Sequence, residues 1–259
     1  MRLLAIGDVC SSVGLDTVRK YLPIIKREQN IDVVIINGEN SAPNNGVTKN
    51  SAQQLFSYGA DVVTGGNHSL RNKDVFEYLD ECEFLLRPHN LLDAQNGSGY
   101  CLVDFGRYSM AVINLSGKIY LDRLSVENPF KCIDELVEKA KNDDANIIVV
   151  DFHAEATSEK RAMGIYLDGK VSVVFGTHTH VQTADEQILP SGTGYITDLG
   201  MTGPRDSVLG VKSEIIINRL KNNDLSKFEF SESEGMLSGC IFEIDEKTGL
   251  CISAKRINL

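Results

Sequence analysis

Four of the five histidines of this 259-residue chain, His68, His153, His178 and His180, stand at or just after short apolar runs, in company with Asp8, Glu39, Asn40 and Asn67. Imidazole nitrogen mixed with carboxylate and amide oxygen suits iron, manganese or zinc, and the absence of clustered cysteines argues against a structural zinc or an iron–sulfur cluster. The same side chains can shuttle protons. Each has an ordinary reading when taken alone. Asp8 behind Gly7 and Glu39-Asn40 behind Gly38 could be turn or cap residues, and His153 could be a core histidine satisfied by a carbonyl. Their joint recurrence points instead to a single site. His178 and His180 flank Thr179, and an extended backbone there would send both rings to one side, where they could serve two adjacent metals.

The elements that must position these groups follow from hydrophobic patterning. Short β-branched runs predict strands near Leu3–Ile6, Asp32–Ile36, Val62–Thr64, Ala111–Asn114, Ile147–Val150, Val171–Phe175 and Tyr195–Ile196. Two more are expected at Cys240–Ile244 and Leu250–Lys255, joined by the turn Asp245–Gly249 as an antiparallel hairpin. Apolar residues at three- and four-residue spacing predict helices over Leu15–Glu28, Ser51–Tyr58, Asn72–Glu81 and Cys132–Lys141. This is an α/β order with a mixed sheet or two packed sheets. In such folds the carboxyl ends of the strands converge on the ligand crevice, and that is where the polar residues fall. The segment 88–129 has weaker signals and reads as a cap, a lid or a plain surface excursion inside a single domain spanning 1–259. Within it His89 or Asn90 could reach a substrate, although a surface position suits His89 better.

A formal net charge of −10 excludes a protein that grips duplex nucleic acid through a basic surface. An anionic substrate would need a local positive centre, which bound metal ions supply. No run approaches transmembrane length and the apolar start is too short for a signal-peptide core, so the expectation is a cytoplasmic protein without a membrane partner. The six cysteines are scattered and expected to be free thiols. Cys10, close to Asp8, reads as a packing residue before a chemical one.

With these residues in place a family resemblance emerges. Gly7-Asp8, Gly38-Glu39-Asn40, Gly66-Asn67-His68 and Gly176-Thr177-His178-Thr179-His180 resemble, in letters and in order, the motifs of calcineurin-like metallophosphoesterases. The stretches Asp151–Lys160 and Val181–Asp185, with Thr197-Asp198 and Gly200–Pro204, resemble one branch, the bacterial YmdB-like cyclic-nucleotide phosphodiesterases, over essentially the whole chain. The resemblance implies a sandwich of mixed β-sheets flanked by helices. It departs from the wider superfamily where Cys10 stands for a histidine, Glu39 for an aspartate and Ser69 for an acidic residue, and the YmdB-like branch is similar to this chain at all three.

By carry-over from that branch, one metal would be held by Asp8, Glu39, Asn40 and His180, and a second by Glu39, Asn67, His153 and His178. Iron or manganese is implied. Glu39 would bridge, since one carboxylate oxygen can serve each cation and its charge reduces their repulsion. Two metals roughly 3.5 to 4 Å apart would activate a water for in-line attack on phosphorus. His68 would orient the phosphate and protonate the leaving alkoxide. The substrates implied are 2′,3′-cyclic nucleotides first and 3′,5′-cyclic nucleotides as further candidates, opened to monophosphates. Two other readings compete: a metal-dependent, nucleotide-sensing regulator acting on RNA-processing partners, and a phosphatase or ribonuclease using the same metals. A homo-oligomer is compatible with the sequence, which does not set the state.

Overall fold

A computed structural model describes residues 1–121, 124–223 and 225–259. Strands β1 (Arg2–Ile6), β2 (Asp8–Val9), β3 (Val33–Asn37) and β4 (Val62–Thr64) alternate with helices α1 (Ser11–Glu28), α2 (Lys49–Tyr58) and α3 (Phe76–Glu81). Next come β5 (Tyr100–Asp104), β6 (Ser109–Ser116), α4 (Pro129–Asn142), β7 (Ile147–His153), α5 (Thr157–Leu167) and β8 (Val173–Thr177). The chain ends with β9 (Gln187–Ile188), β10 (Gly194–Ile196), β11 (Met201–Pro204), α6 (Ser213–Asn222), β12 (Gly235–Met236), β13 (Ser238–Ile244) and β14 (Cys251–Asn258).

One sheet has the order β14-β13-β1-β3-β4 and the other β5-β6-β7-β8-β10-β9. The period-two geometry of a strand explains their stacking. Leu3, Ala5, Val33 and Ile35 point into a shared core with Val112, Val149 and Phe175 of the second sheet. The alternate residues Leu4, Ile6, Val34 and Ile36 pack under α1 and α2, against Val18, Leu22 and Leu55. On the far side Ile113, Val150 and Phe152 pack against Ile133, Leu136 and Met163 of α4 and α5. The result is helix, sheet, sheet, helix, in which the central strands are covered on both faces and so read as continuous apolar runs.

The first sheet needs both ends of the chain, because β1 lies between β3, parallel to it, and β13, antiparallel to it. The hairpin of β13 and β14 forms as expected, with Asp245 Oδ1 accepting Lys247 N and Thr248 N at 2.9 Å each. The segment 88–129 carries β5 and β6 at the edge of the second sheet, while residues 122 and 123 within it lie outside the described residues. No helix among the described residues is long and apolar enough to cross a membrane.

Parallel pairings β1·β3, β3·β4, β6·β7 and β7·β8 aim the carboxyl ends of β1, β3, β4, β7 and β8 at one edge of the sandwich. A third, small sheet, β12-β11-β2, closes that edge. It brings the backbone after β10 so close to Gly7 that a Cβ there would stand 1.9 Å from Gly200 O. Only glycine lets Asp8 turn inward at this point.

Candidate metal centre

The carboxyl ends of β3, β4, β7 and β8 and the loops beyond them, with Asp8 at the start of β2, bring the donors named from the sequence to one place. His153 is the last residue of β7 and is fully buried. Its Nε2 lies 2.9 Å from Asn67 Oδ1, 3.0 Å from His178 Nδ1 and 3.4 Å from Glu39 Oε1. Donors about 2.0 to 2.2 Å from one cation stand roughly 3.0 to 3.6 Å apart, so this spacing is that of a coordination polyhedron. Glu39, His153 and His178 each offer an atom within 4.8 Å of the others.

The neighbouring donors are Asp8, Asn40 and His180. Asn40 Nδ2 lies 3.1 Å from Glu39 Oε1 and 3.2 Å from His180 Nε2. The oxygen and nitrogen of an amide are nearly isosteric, so a half-turn of that group presents Oδ1 to the same point. Among the described residues, Asp8 Oδ1 and His180 Nδ1 are buried with no hydrogen-bond partner. An orphaned buried carboxylate oxygen among imidazoles fits a cation, since such a group is costly when left unpaired. Gly66 supplies the room: a Cβ there would sit 2.1 Å from Glu39 Oε2 and 2.3 Å from His153 Nε2.

Supporting groups fix which ring nitrogen faces inward. Thr177 Oγ1 donates to Asp151 Oδ1 at 2.8 Å and therefore accepts from His153 Nδ1 at 2.9 Å, leaving Nε2 toward the centre. Asp151 is held in turn by Thr64 Oγ1 at 2.5 Å and Asn37 Nδ2 at 2.9 Å. Glu155 Oε2 lies 3.1 Å from His178 Nε2 and directs Nδ1 inward.

The His178-Thr179-His180 segment departs from the extended backbone expected of it. His178 has φ 103° and His180 φ 63°, both in the left-handed region that costs a non-glycine residue roughly 1 to 3 kcal/mol. Asp198 holds the turn, because its Oδ2 accepts Thr179 N at 3.1 Å and Thr179 Oγ1 at 2.7 Å. That carboxylate is paired with the buried Lys160 at 2.5 Å. Asp8 Oδ2 adds a bond from His178 N at 3.1 Å.

His68 stands beside the donors. Its Nδ1 is 3.1 Å from Glu39 Oε1 and 3.1 Å from Asn40 Oδ1, and its backbone N–H donates to Glu39 Oε2 at 3.0 Å. It lines a cavity of about 470 Å³ together with Glu39, Asn40, His178 and His180. Asn90 does not reach this cavity. Its amide nitrogen donates to Ser116 O and Glu127 O, its oxygen accepts from Ser116 N, and His89 is exposed. Cys10 is buried, its Sγ lies 3.8 Å from Leu209 O, and burial with the nearby Asp8 and Glu39 pushes its thiol up to about 12 in the metal-free protein. All six cysteines are free.

In the metal-free centre the buried charges shift one another's titration. Burial drives Asp8 up to about 7, against His153 and with Asp198 and Glu39 adding to the rise. Glu39 stays well below the usual carboxylate range in spite of complete burial, because His153 and His68 face it. Burial opposes charge on His153, yet Glu39, Asp8 and Asp151 hold it up to about 9. Burial, with His153 beside it, pushes His178 down to about 3, and burial takes His180 down to about 4. Both of these rings thus offer lone pairs.

A pH dependence follows. Asp8 and His153 both have folded values above their unfolded ones, so their protons stabilise the metal-free fold at low pH. That contribution is lost as pH rises through about 7 for Asp8 and about 9 for His153. Metal uptake near neutral pH is expected to release roughly one to two protons and to tighten as pH rises. Calorimetric titration with manganese in two buffers of different ionisation enthalpy measures this. Weaker binding at pH 8.5 than at pH 6 would contradict the assignment.

A two-sheet sandwich that gathers carboxylate, amide and imidazole donors at the ends of parallel strands is the fold of the calcineurin-like phosphoesterases. The family model described as "YmdB-like protein" matches residues 4–257, and the chain belongs to that family. The chain is 45% identical over 257 residues to the 2′,3′-cyclic-nucleotide 2′-phosphodiesterase of Bacillus subtilis, covering 99% of this chain and 96% of that one. A solved structure of a protein from Thermus thermophilus aligns with TM-score 0.91 at 36% identity, covering 100% and 99% of the two chains. Another, described as a novel phosphatase from Mycoplasma pneumoniae, aligns with TM-score 0.94 at 34% identity, covering 100% and 93%.

Proposed function

We propose that the protein hydrolyses 2′,3′-cyclic nucleotides to nucleoside monophosphates, with 3′,5′-cyclic nucleotides as further substrates. The observation that carries this reading is the convergence of His153 Nε2, His178 Nδ1, Asn67 Oδ1 and Glu39 Oε1 beside the orphaned Asp8 Oδ1. The substrate follows the 45% identical relative, whose name states that class.

Asp8, Glu39, Asn40 and His180 hold one metal ion, and Glu39, Asn67, His153 and His178 the other. Imidazole nitrogen with carboxylate and amide oxygen suits iron or manganese. When bound, such a pair supplies Lewis acidity and a water that ionises near neutral pH. His68, its Nδ1 held by Glu39, keeps Nε2 for the cavity and delivers the proton to the leaving ribose oxygen. Glu155 and the Asp151–Thr177 pair keep the two imidazoles aimed.

The test is turnover by manganese- or iron-loaded protein of 2′,3′-cyclic AMP, 3′,5′-cyclic AMP, a phosphopeptide and a short RNA under one condition. The expected order places the 2′,3′-cyclic nucleotide first. Absence of turnover on every cyclic nucleotide with stoichiometric metal would overturn the reading, and preference for the phosphopeptide would replace it with a phosphatase.

A further inference from the structure

The cavity that contains His68 and the histidine donors does not end at them. Its outer wall is apolar, formed by Leu209, Val211, Ile216 and Phe228, and Arg71 stands at its rim. An adjoining cavity of about 220 Å³ shares Arg71, Val211 and Phe228 and adds Phe230. Phe228 and Phe230 are two residues apart, so in extended chain they share a side, as their common cavity requires. That chain is anchored: Val211 bridges Phe230, Lys212 N donates to Glu229 O at 2.9 Å, and Lys212 Nζ pairs with Glu229 at 2.7 Å. Phe228 is 53% exposed and lines both cavities, so its ring is accessible from them. The Arg219 guanidinium lies 4.3 Å from its centroid and steadies the ring.

We propose that Phe228 is the platform on which the nucleobase of the substrate stacks, with Arg71 as the cation that meets its phosphate. This rests on the reading of the centre as a cyclic-nucleotide phosphodiesterase and adds what selects the base. The chemistry is complementary: an anionic phosphate belongs near the donors and Arg71, and a planar apolar base belongs on the wall beyond them. Arg71 follows His68 in the same loop, its N–H donating to His68 O at 3.0 Å. Its guanidinium makes no hydrogen bond or ion pair among the described residues, so it is free to meet an anion. A π-face reads no hydrogen-bonding pattern, so the platform accepts every base and favours those that stack best, purines over pyrimidines.

The experiment compares 2′,3′-cyclic AMP, 2′,3′-cyclic CMP and the base-free methyl riboside 2′,3′-cyclic phosphate in wild type, Phe228→Ala, Phe228→Leu and Phe228→Tyr, all metal-loaded. In the Ala and Leu variants the ratio of kcat/KM for the adenine substrate over the base-free one is expected to fall roughly 10- to 100-fold, through KM. Tyr should restore it, and Arg71→Gln should weaken all three substrates alike. An unchanged ratio in both Ala and Leu variants overturns the proposal. A second arm titrates 3′-AMP and ribose 3-phosphate calorimetrically and judges the stack without turnover. Tighter binding of 3′-AMP than of ribose phosphate, lost in Phe228→Ala, upholds the platform even if no cyclic nucleotide is hydrolysed. Equal binding of the two by the wild type overturns it.

Discussion

Glu39→Gln protein is expected to purify without a full complement of metal and to lose on the order of 10³-fold or more in kcat/KM, since several kcal/mol of charge stabilisation disappear. Glu39 is the hub of the centre. Its Oε1 lies 3.1 Å from His68 Nδ1, 3.1 Å from Asn40 Nδ2 and 3.4 Å from His153 Nε2, and its Oε2 accepts His68 N at 3.0 Å. Glutamine keeps the volume but replaces one oxygen by a donor and removes the charge that two bound cations would share. It also removes the main attraction that holds a proton on His153 in the metal-free protein, so the His153 value of about 9 should fall. Metal content by elemental analysis and the imidazole titration by NMR report the two effects separately. A variant that binds two metals with wild-type affinity and turns over at half the normal rate would remove Glu39 from the bridge.

Much of this centre was legible in the sequence because parallel strands buried on both faces leave a plain trace. Runs such as Val33–Ile36 have no polar alternation, so the first polar residue beyond each run marks a carboxyl end, and carboxyl ends meet. The supporting layer was not legible. Asp151 and Asp198 stand in the family's motifs, but that Asp151 meets Thr64 and Asn37 at the ends of β4 and β3, and Asp198 meets Thr179 and Lys160, is set by how distant strands and α5 pack together. Helix α5 escaped for a related reason: its buried face includes Glu159, which accepts the backbone N–H of Lys118 and Ile119, and Lys160. Charged residues on the inner face break the apolar stripe by which a helix is read. Helix α6 escaped in the opposite way, since Ile215-Ile216-Ile217 reads as a strand and none of its residues is buried. The two-residue strand β2 carries no periodicity at all. Nor does any residue type announce positive φ at His178 and His180, where the hydrogen bonds to Asp198 and Asp8 impose a turn on a segment that otherwise favours extension.

The two roles that histidine plays here separate most clearly in His68→Ala. His68 contacts Glu39 and Asn40 from outside the convergence point of the donors, and its side chain is 30% exposed where that of His153 is fully buried. Its removal is therefore expected to leave metal content near that of the wild type while kcat on a cyclic nucleotide falls by roughly 10² to 10⁴. A ligand's removal lowers both together. The size of the loss should depend on the leaving group. A ribose alkoxide needs a proton as the P–O bond breaks, whereas p-nitrophenolate leaves largely unaided, so on bis(p-nitrophenyl) phosphate the same variant should lose only about tenfold or less. His68→Asn keeps a donor toward Glu39 and should match the Ala variant on the cyclic substrate if proton delivery, rather than that contact, is what the ring provides. Equal losses on both leaving groups would deny His68 the proton and leave it as a residue that positions the phosphate.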